Sequence, residues 1–230
     1  MNVVILAAGI GSRLIPFNDL PKTLTLLENG ESIFSRIIKS LMRHVPVDHI
    51  YPVVGYKKEM IRECYPDLNY IVSERFEEEN TAKSLLLALS RIPMQNTLWL
   101  NGDVVFCPSV LSRLISFSCT AMVVNRAQTN EEEVKWLTDD TGRIKEVSKT
   151  VQGSMGEAVG VNLIQKNDLP ILIEELSLCG DNDYFEKGVE GAIARGVHVW
   201  PLEIEEGECV EVDFPEDLIL ANRVLSHAAD

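Results

Sequence analysis

The residues best suited to chemistry lie at the start of the chain. Leu6-Ala7-Ala8-Gly9-Ile10-Gly11-Ser12-Arg13-Leu14 is followed by Pro16 and then by Pro21-Lys22. Gly9 and Gly11 let the backbone approach a ligand closely and turn N–H groups toward phosphate oxygens. Arg13 can grip a phosphate with its forked guanidinium, and Lys22 can act as a point charge. A G-x-G after a strand also suits a plain tight turn or a dinucleotide fingerprint. The third glycine of that fingerprint is replaced by Leu14, and no Gly-Lys dipeptide occurs anywhere, which excludes a Walker loop. A plain tight turn and a cradle for a polyphosphate with two cations beside it both stay open at this point.

Carboxylates supply the complementary chemistry. Gly102-Asp103 closes an apolar strand, and Asp213 sits in Glu211-Val212-Asp213-Phe214-Pro215-Glu216-Asp217-Leu218. An aspartate at a strand end can hold Mg²⁺, which takes one or two carboxylates and completes its shell with phosphate oxygens and water. Each also has a structural reading. Asp103 suits a turn, and an aspartate before a helix that opens on proline suits a cap. Glu216 and Asp217 belong to the first turn of that helix, where its dipole favours them.

The elements that must position these groups alternate between strand and helix. Strands are expected at Asn2 to Ala7, His49 to Gly55, Tyr70 to Val72, Thr97 to Asn101 and Ala121 to Asn125. Helices are expected at Ser32 to His44, with Ser32 as N-cap, at Lys57 to Cys64, at Thr81 to Ser90 and at Val110 to Phe117. Such alternation predicts a mainly parallel sheet covered on both faces, with ligands beyond the carboxyl ends of its strands. Gly9 to Arg13, Gly55-Tyr56 and Gly102-Asp103 all fall at such ends. Beyond residue 125 the pattern changes. A hairpin is expected from Val134 to Ser148 around Asp139-Asp140-Thr141-Gly142. Further strands are expected at Gly160 to Ile164, Val197 to Ile204 and Cys209 to Val212. Helices are expected at Leu169 to Leu178, Tyr184 to Arg195 and from Pro215. With no linker and no repeat, residues 1–230 read as one domain, with a core over 1–125 and a small lobe over 126–230 packed on the same sheet.

Composition narrows the classes. The chain has 230 residues, 46% apolar and 24% charged, with a net charge of −14. That charge disfavours nonspecific nucleic-acid binding, which depends on Lys and Arg neutralising phosphates. An acidic protein that handles a nucleotide must focus its cations locally or take them from a metal. No apolar run is long enough to cross a bilayer, so no membrane partner is expected. The apolar start reads as a buried strand and not as a signal peptide. Five scattered cysteines without a C-x-x-C pair suggest neither a disulfide scaffold nor a zinc site, and a cytoplasmic location is the expectation.

The run L-A-A-G-x-G-S-R-L-x-P, with P-K some residues later, resembles the signature of the nucleoside-triphosphate transferase family. The resemblance implies a Rossmann-like, mainly parallel mixed sheet flanked by helices, the GT-A-like nucleotidyltransferase fold. It implies that Leu6, Ala7, Ala8, Gly9, Gly11 and Ser12 bind the nucleotide, with Arg13 and Lys22 as catalytic cations. Gly102 lies with the nucleotide, and Asp103 and Asp213 are the implied Mg²⁺ ligands. Phe17-Asn18 departs from many relatives, which carry Thr there, in a variable part of the loop. Glu79-Asn80-Thr81-Ala82-Lys83-Ser84-Leu85 resembles the "N-x-x-S-L" stretch of phosphocholine-type cytidylyltransferases. Val54-Gly55-Tyr56-Lys57-Lys58-Glu59 resembles the same branch's stretch near the base. The implied nucleotide is therefore CTP, through Gly55, Tyr56, Asn80, Thr81 and Ser84.

The same resemblance extends to an acceptor lobe at Lys135-Trp136, Lys149, Gly156 to Gly160 and Tyr184-Phe185-Glu186. Lys149 can hold an acceptor phosphate, while Glu157, Glu186, Trp136 or Tyr184 can hold an ammonium by charge and cation–π attraction. Each has a plainer reading, with Trp136 in the core, Glu186 on a solvated helix face and Lys149 on the surface. The expected reaction is attack by a phosphate or phosphonate oxygen on the α-phosphorus of CTP. An acceptor already anionic near neutral pH needs no general base, in keeping with histidines that fall in no motif. A sugar-1-phosphate nucleotidyltransferase and a non-catalytic nucleotide-binding subunit are the alternatives, and the expected assembly is a monomer or homodimer.

Overall fold

The computed structural model describes residues 1–11, 13, 14, 19–131 and 133–227, the last three as helix backbone only. In chain order the elements are β1 (Asn2–Ala7), α1 (Ile33–Leu41), β2 (Ile50–Val54), α2 (Lys58–Cys64), β3 (Ile71–Val72), α3 (Thr81–Leu89), β4 (Thr97–Asn101), β5 (Val104–Phe106), α4 (Pro108–Ile115) and β6 (Ala121–Val124). They continue with β7 (Lys135–Thr138), β8 (Ile144–Ser148), β9 (Gly156–Ile164), α5 (Leu169–Leu178), α6 (Phe185–Ala194), β10 (Trp200–Glu203), β11 (Cys209–Glu211) and α7 (Pro215–His227).

The main sheet runs β10-β6-β9-β4-β1-β2-β3. Its strands are parallel apart from β9, which is antiparallel to both β4 and β6. β1 is buried from Asn2 to Leu6 and pairs with β2 on one side and β4 on the other. A strand covered on both faces reads as an unbroken apolar run, which Val3-Val4-Ile5-Leu6 is. Helices cover both faces. Phe34 and Ile37 of α1, Leu111 of α4 and Val224 of α7 share one core with Val3 and Ile5. Leu85 of α3, Leu172 of α5 and Val189 of α6 share the other with Val4 and Leu6. Successive residues of one strand thus feed opposite cores, as the two-residue side-chain period requires.

The expected alternation is present, with ends that differ by a few residues. Ser32 caps α1, its hydroxyl accepting from the Ser35 amide at 3.1 Å. Residues beyond 125 add strands to the same sheet. β9 enters the middle of it and β10 forms its edge, while the β7–β8 hairpin joins through β7 to β9. β9 starts at Gly156, four residues earlier than the sequence pattern suggests, because Gly156 and Gly160 interrupt its alternation. The ladder to β6 shifts register between Met122 and Val124, and Gly160 sits nearby at φ +66°, as at a bulge. Asp139 closes the β7–β8 turn, its Oδ1 accepting from the Thr141 and Arg143 amides at 2.8 and 3.1 Å.

One short strand unmarked in the sequence reading is decisive. β5 pairs antiparallel with β11, with Glu211 opposite Val104, and the Val212 amide donates to the Asp103 carbonyl at 3.0 Å. This ribbon carries the chain near its end back to the end of β4. The five cysteines form no disulfide, and no helix among the described residues is long and apolar enough to cross a membrane.

Candidate functional site

Three strand ends are stitched together at the carboxyl edge of the sheet. The Gly102 amide donates to the Leu6 carbonyl at 2.8 Å, and the Tyr56 amide donates to the Ala8 carbonyl at 3.0 Å. A side chain at Gly102 would start 2.8 Å from the Ala7 Cβ, so the β4 end must be glycine to lie against β1. Above this edge opens a cleft of about 760 Å³.

Lys22 is the hub of the cleft floor. Pro21 and the following 3₁₀ turn, Lys22–Leu24, anchor it, with Thr23 and Leu24 buried. Its Nζ lies 2.5 Å from Asp103 Oδ2 and 2.5 Å from Asp213 Oδ1. Burial works against the ammonium charge, but the two carboxylates outweigh it and hold the pKa above the ordinary lysine value. Gly11, at φ +64°, passes so close that a Cβ there would lie 2.7 Å from the Lys22 Cβ. Arg13 completes the group, with Nη1 3.5 Å from Asp213 Oδ2 and its guanidinium 5.1 Å from the Phe214 ring centre. The net charge of −14 therefore coexists with two cations focused at one edge.

A third acid stands behind this group. Glu211 is half-buried, its Oε1 accepting from Asn101 Nδ2 at 2.7 Å. Burial, then the nearby Asp103 and Asp213, pushes its carboxyl up to about 8, against the pull of Lys22 and Asn101. Neither Glu211 nor Asn101 stands out in sequence. Glu211 is one of four acids in the Asp213 segment, and Asn101 is the last residue of an apolar strand. The ribbon register brings Glu211 to Asn101 at the end of β4, and both line the cleft.

The remaining positions divide. Leu6, Ala7, Gly9, Asn80 and Thr81 line the cleft, as do Gly102 and Asp103. Asn80 also caps α3, its Oδ1 accepting from the Thr81 amide at 2.8 Å, and Thr81 Oγ1 accepts from the Phe185 amide at 3.0 Å. Gly55 and Tyr56 do not line it. Gly55 lies behind Phe76, which does, and Tyr56 packs on Phe76 with ring centres 6.4 Å apart. Ser84 is buried on α3 and also stays out of the lining, as does the buried Ala8. Ser12 lies outside the described residues.

Lys149, Glu157, Tyr184 and Glu186 also line the cleft. Lys149 Nζ stands 4.8 Å from the Tyr184 ring centre. Asn125 Nδ2 donates to Glu157 Oε2 at 3.0 Å, and burial raises the Glu157 pKa. Glu186 is 7% exposed, so it is no solvated helix face, and its Oε2 has no hydrogen-bond partner. Burial pushes its carboxyl up to about 7, although its own backbone amide and Lys149 oppose the shift. Trp136 is not among these residues. It is 0% exposed in the core, its indole N–H donating to the Asn125 carbonyl at 3.0 Å, so the expectation that it meets an acceptor is corrected. A large ring on a strand between two others is better buried than presented to a cleft.

Residues 3–161 match the family described as the MobA-like NTP transferase domain. The chain belongs to that family. It is 29% identical over 238 residues to the CMP-5'-(3-aminopropyl)phosphonate synthase of Streptomyces rubellomurinus, a match covering 94% of this chain and 37% of that protein. It is 26% identical over 154 residues to the 2-aminoethylphosphonate cytidylyltransferase of Lancefieldella rimae, covering 64% of this chain and 61% of that protein. The transferase domain thus spans only part of the length of these relatives. Its fold is similar to that of the CTP:phosphocholine cytidylyltransferase of Streptococcus pneumoniae, with a TM-score of 0.78 at 21% identity over 97% of this chain and 98% of that one.

Proposed function

We propose that this protein is a cytidylyltransferase that moves CMP from CTP to a small phosphorylated or phosphonate acceptor. The observation that carries the nucleotidyl-transfer reading is the convergence of Lys22, Asp103 and Asp213 beside the Gly9–Gly11 loop. The names of the two relatives above support CTP and an aminated phosphonate.

In the reaction, an acceptor phosphate or phosphonate oxygen attacks the α-phosphorus. The bond from the α-phosphorus to the α,β-bridging oxygen breaks, and pyrophosphate leaves with the electron pair. Backbone N–H groups around Gly9 and Gly11 cradle the triphosphate, and Arg13 and Lys22 screen the charge that builds on the α-phosphate. The reaction needs two anions aligned and no proton removed, so positioning and charge supply the rate.

The donor set fits Mg²⁺. Asp103 and Asp213 aim oxygens at one point, and Asp103 Oδ1 is buried without a hydrogen-bond partner. Among the described residues no group of three or more His, Cys, Asp or Glu could form a cage by itself. Two carboxylates completed by phosphate oxygens and water are what Mg²⁺ accepts. Held there, the ion would supply positive charge between the two anionic reactants.

The test is pyrophosphate release over a matrix of CTP, UTP, GTP and dTTP against 2-aminoethylphosphonate, phosphocholine and hexose-1-phosphates. Release with CTP and a small aminated acceptor is expected. Release confined to a hexose-1-phosphate would overturn the acceptor class. Binding of CTP with no release from any acceptor would favour a non-catalytic nucleotide-binding subunit.

A further inference from the structure

The two carboxylates that fit Mg²⁺ are engaged by side chains of the protein itself. Lys22 Nζ lies 2.5 Å from both Asp103 Oδ2 and Asp213 Oδ1. Arg13 Nη1 stands 3.5 Å from the other Asp213 oxygen, Oδ2. The remaining oxygen, Asp103 Oδ1, is buried without a hydrogen-bond partner. Two cationic side chains thus face two carboxylates, and the four formal charges cancel.

Mg²⁺ takes oxygen ligands at about 2.0–2.1 Å. Two oxygens converging at 2.5 Å on one nitrogen leave room at that point for one cation, an ammonium or a metal ion. The two cannot share it, because like charges at contact distance repel strongly where water screens them little. The side chains of Lys22 and Asp103 are only 15% and 18% exposed. A metal ion arriving alone would therefore strip the ammonium of both partners and leave its charge largely buried. A triphosphate changes that balance, since it offers Lys22 and Arg13 new anionic partners. The Lys22 stem already runs along the Gly loop, where a Cβ on Gly11 would lie 2.7 Å from the Lys22 Cβ. Rotation about the outer bonds of the side chain is then enough to carry the ammonium from the carboxylates to phosphate oxygens held by that loop.

We propose that Lys22 is a placeholder for the metal ion: its ammonium and Mg²⁺ are alternative occupants of the Asp103–Asp213 pair, and the triphosphate drives the exchange. The protein on its own is then a poor metal binder, and the ion enters with the nucleotide. Lys22 has two stations, between the carboxylates before the nucleotide arrives and on the phosphates afterwards. The proposal rests on the nucleotidyl-transfer reading above and holds whichever base or acceptor is used. The competing account is a permanent ion pair, in which Lys22 stays with the aspartates whether or not nucleotide is bound.

The test titrates Mn²⁺ into the wild type, Lys22→Met and Lys22→Arg without nucleotide, with electron paramagnetic resonance reading the free ion. Lys22→Met should bind one ion more tightly than the wild type by at least about tenfold, an ordinary scale of coupling between two ligands. Lys22→Arg keeps the charge and should bind as weakly as the wild type. Adding Asp103→Ala to Lys22→Met should abolish the gain. At saturating α,β-methylene-CTP, which cannot release pyrophosphate, the advantage of Lys22→Met should vanish or reverse, read from water proton relaxation of the ternary complex. Wild-type binding as tight as that of Lys22→Met without nucleotide would overturn the proposal. So would an advantage that persists at full size with the nucleotide. If Lys22→Met does not fold, the wild type alone decides. Tight one-to-one Mn²⁺ binding without nucleotide overturns the proposal, and weak binding that becomes tight in the ternary complex supports it. These outcomes leave nucleotidyl transfer standing. That reading fails, and the proposal with it, if no α,β-methylene nucleoside triphosphate binds in the presence of Mn²⁺.

Discussion

Lys22 and Asp103 are 81 residues apart in the chain, and their charged atoms lie 2.5 Å apart. The same ammonium reaches Asp213, from a third region, at 2.5 Å. One side chain thus holds together two carboxylates that would otherwise repel each other. Its ammonium sits where a cation between them would sit. Replacing Lys22 by Met keeps the stem that packs under Gly11 and removes only the charge. Turnover should fall by about 10²–10³, the scale of losing one stabilising group at the reacting centre. Far-ultraviolet circular dichroism should be unchanged. Near wild-type pyrophosphate release would refute a catalytic role for Lys22.

Asp103 is expected to carry the metal dependence. In Asp103→Ala both the turnover and its response to Mg²⁺ should disappear, and Mn²⁺ binding followed by electron paramagnetic resonance should weaken. A variant that stays active and titrates normally with Mg²⁺ would show that the metal is held elsewhere.

Gly11 is held at φ +64°, and a methyl group there would lie 2.7 Å from the Lys22 Cβ. Gly11→Ala must therefore strain the backbone and move the loop or the lysine. The backbone strain alone is worth about 1–3 kcal/mol. The expected result is a higher KM for CTP together with lower turnover, read from initial rates at varied CTP. Unaltered kinetics would mean that the loop does not contact the triphosphate.

The Glu186 carboxyl, at about 7 in the folded protein against an ordinary 4.5, makes the ligand-free protein sensitive to pH. Between those values the folded state keeps the proton and the unfolded state releases it. Stability from this group therefore falls as pH rises from about 4.5 to about 7, and the penalty is complete above 7. It amounts to at most about 3 kcal/mol. Glu186→Gln should accordingly raise the melting temperature at pH 8 by more than at pH 5. An equal change at both values would mean that the carboxyl bears no buried charge.

Trp136 separates packing from binding. Trp136→Phe removes the hydrogen bond to the Asn125 carbonyl and leaves a small void. The cost should be about 1–2 kcal/mol in denaturant unfolding. The acceptor KM should move little, because the ring does not line the cleft. A large rise in KM without loss of stability would return Trp136 to the acceptor site.

Much of the fold was legible because its signals are local. Apolar runs such as Val3 to Leu6 mark buried strands, and the four-residue recurrence of Ile33, Ile37 and Leu41 marks a helix face. What escaped was short or irregular. β5 has three residues directly after Asp103 and reads as a continuation of β4, and the glycines of β9 hide its first turn into the sheet. In the site, the Gly loop and Lys22 were visible from type and spacing, and Asp103 and Asp213 only through the family resemblance. Glu211 was not distinguished from its acidic neighbours, because nothing in its local sequence tells a half-buried acid from an exposed one.

The sequence by itself determined the chemistry on offer: a glycine-lined phosphate cradle, two cations, and acids at strand ends of an α/β chain. Those are properties of residue types and near-neighbour spacing. The tertiary structure alone decided which distant groups meet. The pairing of β5 with β11 brings Asp213 to Asp103 and Lys22. The packing of α6 against the sheet buries Glu186 facing the cleft, while Trp136 is taken into the core. Burial and long-range register follow from how the whole chain closes on itself, and no stretch of neighbouring residues encodes them.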